Sequence, residues 1–267
     1  MGKGMARTKS TALKQGVLMF AFNNERTDYL DIAAWSAKNI RRHLALPVAV
    51  VTNNPEQADK LGFEHVIASE SDTGGTRYFA DYDATVTWHN AGRVNAYELS
   101  PFEQTLVLDA DYVVASKQLE LVLDMPQQFA AFYDVMDAEN STSWRVETFG
   151  QHHLPMWWAT VMMFRRGAVS QYIFDTMTMI RQNWQHYRDL YHVHQSNYRN
   201  DIALSIALGL VAGAEQSVHA IPYSLINVRP TSSLHQLEPD YYEILYNDSH
   251  NKMKSFSWRG VDFHAMG

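Results

Sequence analysis

The chain has 267 residues, of which 46% are hydrophobic and 12% aromatic, enough to bury a sizeable core in one large α/β domain. A charged fraction of 19% excludes a solvated, disordered chain, and a net charge of -7 argues against gross nonspecific attraction to nucleic acid. With no cysteine, disulfide frameworks, cysteine-based zinc sites and thiol nucleophiles are excluded, and the longest apolar runs, such as Ile202 to Ala214, are too short or too interrupted to span a bilayer.

Residues 1–15 are basic and polar, with no apolar signal region behind them, and read as a flexible lead-in. The default location is the cytoplasm, the host's if the protein is viral. Gly16 then precedes VLMFAF, a short apolar run closed by Asn23 and Asn24, which reads as a buried strand and a turn. In TDYLDIAAWSAKNIRRHL, the residues Leu30, Ala33, Ala34, Ala37, Ile40 and Leu44 recur at helical spacing, with Thr27 or Asp28 available as cap. VAVVTNN follows Pro47 as a second buried strand. A helix crossing between two fully apolar strands implies a parallel sheet covered on both faces.

Further on, residues 55–61 read as a short helix and 64–68 as a short strand. Residues 69–82 read as a long polar loop and 85–99 as a helix ended by Pro101. TLVLDADYVV is another apolar strand, and after a helix near 117–124 comes the strand FAAFYDV. A polar stretch covers 135–155. WWATVMMFRR is a strong strand, followed by helices at about 168–186 and 200–210, the second capped by Asn200. The tail from 222, rich in Pro, Tyr, His and Asn, is expected to wrap the surface as loops and short pieces. No repeat, low-complexity segment or linker divides the chain.

The chemistry concentrates at Asp109-Ala110-Asp111, where the buried strand TLVL ends. In open α/β sheets, ligands bind outside the carboxyl ends of the strands. Two aspartates one residue apart offer hard oxygen ligands, suited to Mg2+ or Mn2+. Paired carboxylates without compensation repel, and burial raises that cost, so a divalent cation resolves it. The tripeptide alone says little: Asp81-Tyr82-Asp83 has the same spacing in a polar stretch and reads as solvated loop.

SPFEQTLVLDADYVV resembles the signature of nucleotide-sugar glycosyltransferases of the GT-A fold, especially the glycogenin-like, galactosyltransferase-type group, in which this stretch carries the metal-binding Asp-x-Asp. The resemblance covers the first strand-helix-strand and residues 93–114 best. It implies a single GT-A (nucleotide-diphospho-sugar transferase) domain over 16–267, with a mostly parallel central sheet flanked by helices. Residues 16–114 would form the nucleotide-binding half and 115–267 the acceptor and sugar side.

It further implies that Phe22, Asn23, Asn24 and Tyr29 hold the base and ribose, with Thr52, Asn53 and Asn54 as a second nucleotide contact. Arg93 takes the position of the family's basic residue toward donor phosphate or sugar, with Arg77 as a weaker candidate. Ala159-Thr160 fills the slot of the family's donor-sugar strand, although the usual Asn is absent and Trp157-Trp158 precede it. Asp201, behind Asn200, corresponds to the family's acceptor-side aspartate. His264 in VDFHAMG is the match for a third metal ligand, ahead of His250 and His219; His152, His153, His192 and His194 are candidates for the acceptor side.

The reaction implied is metal-dependent transfer of a sugar from a nucleotide sugar, a UDP-sugar favoured, to an acceptor hydroxyl. The metal, Mn2+ or Mg2+, and a basic residue stabilise the departing diphosphate. An inverting route would use Asp201 or Asp137 as base; the closer match is to retaining enzymes. The acceptor stays open between glycan, protein and a hydroxymethylated DNA base of the phage type. For DNA, Arg41-Arg42, Arg165-Arg166 and the stretch Lys252 to Arg259 would have to supply charge. Two other readings stand beside this one. A nucleotidyltransferase of similar architecture would open with a Gly-rich basic loop, where this chain has FNNERTDY. A non-catalytic binding protein on the same fold need not keep Asp109 and Asp111. No membrane partner is expected, and the sequence is silent on oligomeric state.

Overall fold

The computed structural model describes residues 13–70, 76–79, 84–87, 89–140, 144–195, 197–211 and 218–265. The decoy pair Asp81 and Asp83 lies outside the described residues, as do the side chains of Arg77 and His219.

The chain opens with strand β1 (Leu13–Phe20), three residues earlier than Gly16, so the described part of the expected lead-in is already sheet. Helix α1 (Tyr29–Leu44) follows, and the Asp28 side chain accepts from the Asp31 amide to cap it. Its buried stripe of Leu30, Ala33, Ala37, Ile40 and Leu44 matches the helical spacing in the sequence. Next come β2 (Val48–Thr52), α2 (Pro55–Leu61) and β3 (His65–Ala68). A small hairpin, β4 (Thr76–Phe79) with β5 (Ala84–Thr87), replaces part of the expected loop and the start of the expected helix. The β-branched run Thr85-Val86-Thr87 prefers an extended chain. Only a 3-10 turn at 90–95 and the short helix α3 (Ala96–Leu99) remain of that helix.

Then follow β6 (Phe102–Leu108), β7 (Tyr112–Val113), α4 (Gln118–Leu123), β8 (Phe129–Phe132), β9 (Val135–Asp137), β10 (Thr148–Phe149), β11 (Leu154–Pro155) and β12 (Trp158–Arg165). The helix expected over 168–186 is two, α5 (Ala168–Gln182) and α6 (Trp184–Leu190), parted at Asn183, whose side chain donates to the Met179 carbonyl at 2.9 Å. Helix α7 (Asn200–Val211) and strand β13 (Val218–Ala220) come next. The tail is not loops. It forms β14 (Leu225–Val228), the meander β15 (Ser233–Glu238), β16 (Tyr241–Asn247) and β17 (Met253–Arg259), and finally β18 (Phe263–Ala265).

The main sheet has seven strands in the order β13-β8-β12-β6-β1-β2-β3. Four of its pairings are parallel and the two made by β12 are antiparallel. It is mostly parallel, as expected, and α1 packs on β2 while α7 packs on β12 and α5. The strands β1, β2 and β6 therefore end along one edge, and β12 begins there, with Val161 beside Leu108. At β1 the sheet is tight: the Phe102 ring stands 2.3 Å from where a side chain on Gly16 would begin.

A second, four-stranded sheet in the order β7-β18-β14-β9 lies beyond that edge. The meander joins it through a small core of Val113, Val228, Tyr242, Ile244 and Phe263. The segment behind the Asp-x-Asp motif and the end of the chain thus meet in one sheet.

Candidate metal centre

Strand β6 stops at Leu108, but the next amide, Asp109 N–H, still donates to the Thr160 carbonyl of β12 at 3.0 Å. The chain then turns tightly: Tyr112 N–H donates back to the Asp109 carbonyl at 3.1 Å, and Ala265 N–H to the Asp111 carbonyl at 3.1 Å. Ala110 sits buried inside the turn. This geometry sends both carboxylates to one side, where β18 presents His264. Its Nε2 stands 3.3 Å from Asp111 Oδ1 and 3.9 Å from Asp109 Oδ2.

Among the described residues these three form the one group able to hold a metal ion, with all ligand atoms within 4.8 Å of one another. Adjacent ligands of an octahedral Mg2+-sized ion lie about 3 Å apart. Two carboxylates and one imidazole nitrogen are a donor set for Mn2+ or Mg2+. Burial pushes the Asp111 carboxyl up, but His264, with help from Arg93, outweighs it and holds Asp111 below the usual carboxylate range.

Arg93, in the 3-10 turn, is buried at 2% exposure. Its guanidinium pairs with Asp109 Oδ1 and donates to the Ala159 carbonyl at 2.8 Å. Burial draws its pKa down to about 10, against the pull of Asp201 and Asp111, so it stays charged at neutral pH. Asp109 thus gives one oxygen to Arg93 and keeps the other toward His264. Asp201, in the first turn of α7, accepts the Ala159 N–H at 2.9 Å and an Arg199 N–H at 3.0 Å. The Ala159 peptide is therefore held from both sides, which joins Asp201, Arg93 and Asp109 into one network. Tyr198, with a buried hydroxyl, adjoins this network, and burial raises its pKa.

The outlying candidates divide. Phe22 is buried at the end of β1, its ring 6.5 Å from that of His89. Asn23 Oδ1 accepts the Leu30 N–H at 3.0 Å, and Asn24 Oδ1 accepts those of Arg26 and Thr27, each at 2.9 Å. Tyr29 opens α1 and packs against the core. Thr52 Oγ1 accepts the Asn54 N–H, Asn54 caps α2, and Asn53 is exposed. All these residues share the sheet edge with the metal centre, but their amides are largely spent on local turns. Thr160 is buried on β12 beside Ala159, Trp157 packs on Tyr133 with ring centroids 4.8 Å apart, and the Trp158 Nε1 is buried without a partner.

His250 lies in the turn of the meander, away from the centre. His152 and His192 touch edge to face, and neither they nor His153 and His194 join a metal group. Among the basic pairs, Arg165 and Arg166 donate to backbone carbonyls, including those of Leu123 at 2.7 Å and Ser100 at 2.6 Å, while Arg41 pairs with Glu64 and Arg42 with Asp240. Asp137 is held by Arg145 at 3.0 Å and by Arg229 at 3.4 Å.

Three contributors escaped the sequence. The Ser36 hydroxyl donates to the Tyr112 carbonyl at 3.1 Å. Asp262 accepts the Ala115 N–H at 2.8 Å, and burial pushes its pKa up to about 6. Asn227 Oδ1 lies 3.1 Å from His264 Nδ1. Nothing in the local sequence marks them, because each is defined by a partner tens of residues away.

The mostly parallel sheet and its flanking helices are those of the GT-A fold, and this chain has that fold. Superposition on solved structures agrees. An active-site variant of LgtC matches with a TM-score of 0.51 and 15% identity, over 94% of this chain and 87% of that one. The galactosyltransferase LgtC bound to donor and acceptor sugar analogues (TM-score 0.47, 14% identity, 77% and 72% covered) and mouse xyloside xylosyltransferase 1 (TM-score 0.48, 16%, 78% and 85%) are also similar. No protein-family model and no curated protein matches the sequence.

Proposed function

We propose that the protein is a metal-dependent glycosyltransferase that moves a sugar from a nucleotide-sugar donor, a UDP-sugar favoured, to an acceptor hydroxyl. One observation carries this reading: Asp109, Asp111 and His264 converge within 4.8 Å at the ligand-binding edge of a GT-A sheet. Asp109, Asp111 and His264 would hold Mn2+ or Mg2+, which when bound neutralises the charge of the departing diphosphate. Arg93 fixes Asp109 and adds its own positive charge to the field in which that negative charge develops. Asp201 and Arg93 together hold Ala159, and so set the strand end against which the donor sugar would rest. Phe22, Asn23, Asn24, Tyr29, Thr52, Asn53 and Arg77 form the proposed nucleotide side. The acceptor hydroxyl belongs to a glycan, a protein or a modified DNA base.

The test is a mass-spectrometric screen of UDP-glucose, UDP-galactose and other nucleotide sugars, with Mn2+ present and each acceptor class supplied. Metal-dependent donor turnover is expected, lowered at least about 100-fold in Asp111→Asn, the order seen when one transition-state charge stabiliser is lost. No turnover of any nucleotide sugar, together with no metal-dependent nucleotide binding, would falsify the assignment.

A further inference from the structure

The second sheet sets its strands so that His264 of β18 lies opposite Asn227 of β14 on one side and Tyr112 of β7 on the other. Residues in register across a sheet project on the same face. Asn227 is 2% exposed, and its Oδ1 stands 3.1 Å from His264 Nδ1. An amide oxygen can only accept, so the ring nitrogen facing it carries the hydrogen. That leaves Nε2, the atom that faces Asp111 at 3.3 Å and Asp109 at 3.9 Å, as the ring nitrogen free to give up its proton and ligate when a cation enters.

From this register and these distances we infer that Asn227 is the positioning residue of the metal centre: it holds His264 in the Nδ1–H tautomer with Nε2 aimed at the cation. The inference rests on the reading of Asp109, Asp111 and His264 as a metal centre, and it deepens it. Two physical consequences follow. An imidazole free to choose its tautomer would spend part of its time with a proton on Nε2, where it cannot ligate. One free to rotate would lose ordering entropy when it bound, whereas a ring already pinned between β14 and the carboxylates loses little. Asn227 touches neither donor nor acceptor in this scheme and acts only through His264. The rest of the second sheet supports the arrangement. Asp262, two residues before His264, is tied to Ala115, and the Ala265 amide to the Asp111 carbonyl, so β18 is fixed at both ends of the ligand.

The experiment uses the full chain. Mn2+ binding is measured by the loss of the free-ion EPR signal, without donor or acceptor, in wild type, Asn227→Leu, Asn227→Asp and His264→Ala. Asn227→Leu keeps the volume and removes the acceptor; losing such a partner typically weakens metal binding about 10–100-fold. Asn227→Asp supplies an acceptor at the same place and restores binding to within about threefold of wild type or better, since a charged acceptor bonds more strongly than an amide. Adding Asn227→Leu to His264→Ala changes nothing further, because the ligand it serves is gone. Nitrogen and proton chemical shifts of the His264 ring with diamagnetic Mg2+ bound, again without donor or acceptor, give a second readout: a hydrogen-bonded Nδ1–H in wild type, and an Nδ1–H that has lost its acceptor in Asn227→Leu. Undiminished Mn2+ binding in Asn227→Leu, or a loss that persists unchanged on top of His264→Ala, overturns the inference while leaving the metal centre intact. Wild-type protein that binds no Mn2+ overturns the metal centre and this inference with it.

Discussion

Arg93 shows how one residue can serve both the fold and the site. Its guanidinium is buried against Asp109 and the Ala159 carbonyl, while Asp109 keeps its second oxygen toward His264. Removing the arginine leaves the half-buried Asp109 carboxylate without its guanidinium, and breaking a fully buried pair costs about 3–5 kcal/mol, an upper bound here. Arg93→Met is therefore expected to lower the urea midpoint by an amount corresponding to at most that cost. Arg93→Met combined with Asp109→Asn should be less destabilised than the sum of the two single variants, because the second change removes the charge the first left unpaired. Strict additivity would show that the two side chains do not act as a pair. At this scale the sequence was legible wherever chemistry is local. Asp109 and Asp111 could be separated from Asp81 and Asp83 by the apolar strand before them. His264 followed from the resemblance alone. Asn227 was invisible, since its role exists only through the pairing of β14 with β18.

Among the elements, those whose burial follows a simple period were read correctly: α1 through its apolar stripe, and β2, β6 and β12 through continuous apolar runs. Those that differ from the expectation are short or lack a continuous apolar run. The β4–β5 hairpin carries only the four-residue alternation Ala84-Thr85-Val86-Thr87, and in the meander β15 is exposed along most of its length. Their strand character comes from pairing rather than from burial, so the residue pattern had little to report. Strand β1 began earlier than expected because Leu13 and Gln15 pair with Phe102 and Gln104, although Lys14 and Gln15 face solvent. That pairing makes Gly16 sensitive. The Phe102 ring fills the space next to it, 2.3 Å from an added carbon, so Gly16→Ala must displace a fully buried ring. Overpacking of this kind costs about 1–3 kcal/mol. A fall in urea midpoint is expected in Gly16→Ala, and Phe102→Leu in the same chain should recover part of it. Full wild-type stability in the single variant would mean that the β1–β6 contact yields freely.

At the scale of the molecule, the proposed metal centre is a joint between two sheets. Asp109 belongs to the edge of the seven-stranded sheet, whereas Asp111 and His264 are tied into the second sheet with β14 and the meander. The first half of the chain supplies the carboxylates, and a residue more than 150 positions later supplies the imidazole. The sequence showed the parallel α/β order but not this joint, because the tail lacked the apolar runs that mark a core strand. The joint has a dynamic consequence. The seven-stranded sheet rests on the large core, which also takes Tyr112, Val135 and Leu225 of the second sheet, while Val113, Val228 and Phe263 share only a small core with the meander. Segments with fewer buried contacts open at lower cost. A cation that grips both sheets must be released before the second can open, so binding raises that opening free energy by about 2.7 kcal/mol at one hundred times the dissociation constant. The main sheet gains much less, since its local openings leave the ligands in place. Hydrogen exchange followed with and without Mn2+ should therefore show slowing concentrated in 225–228, 241–247 and 263–265, with β1 and β2 little changed. Exchange that slows equally throughout, or slows first in β1 and β2, would place the cation's grip elsewhere than at Asp109, Asp111 and His264.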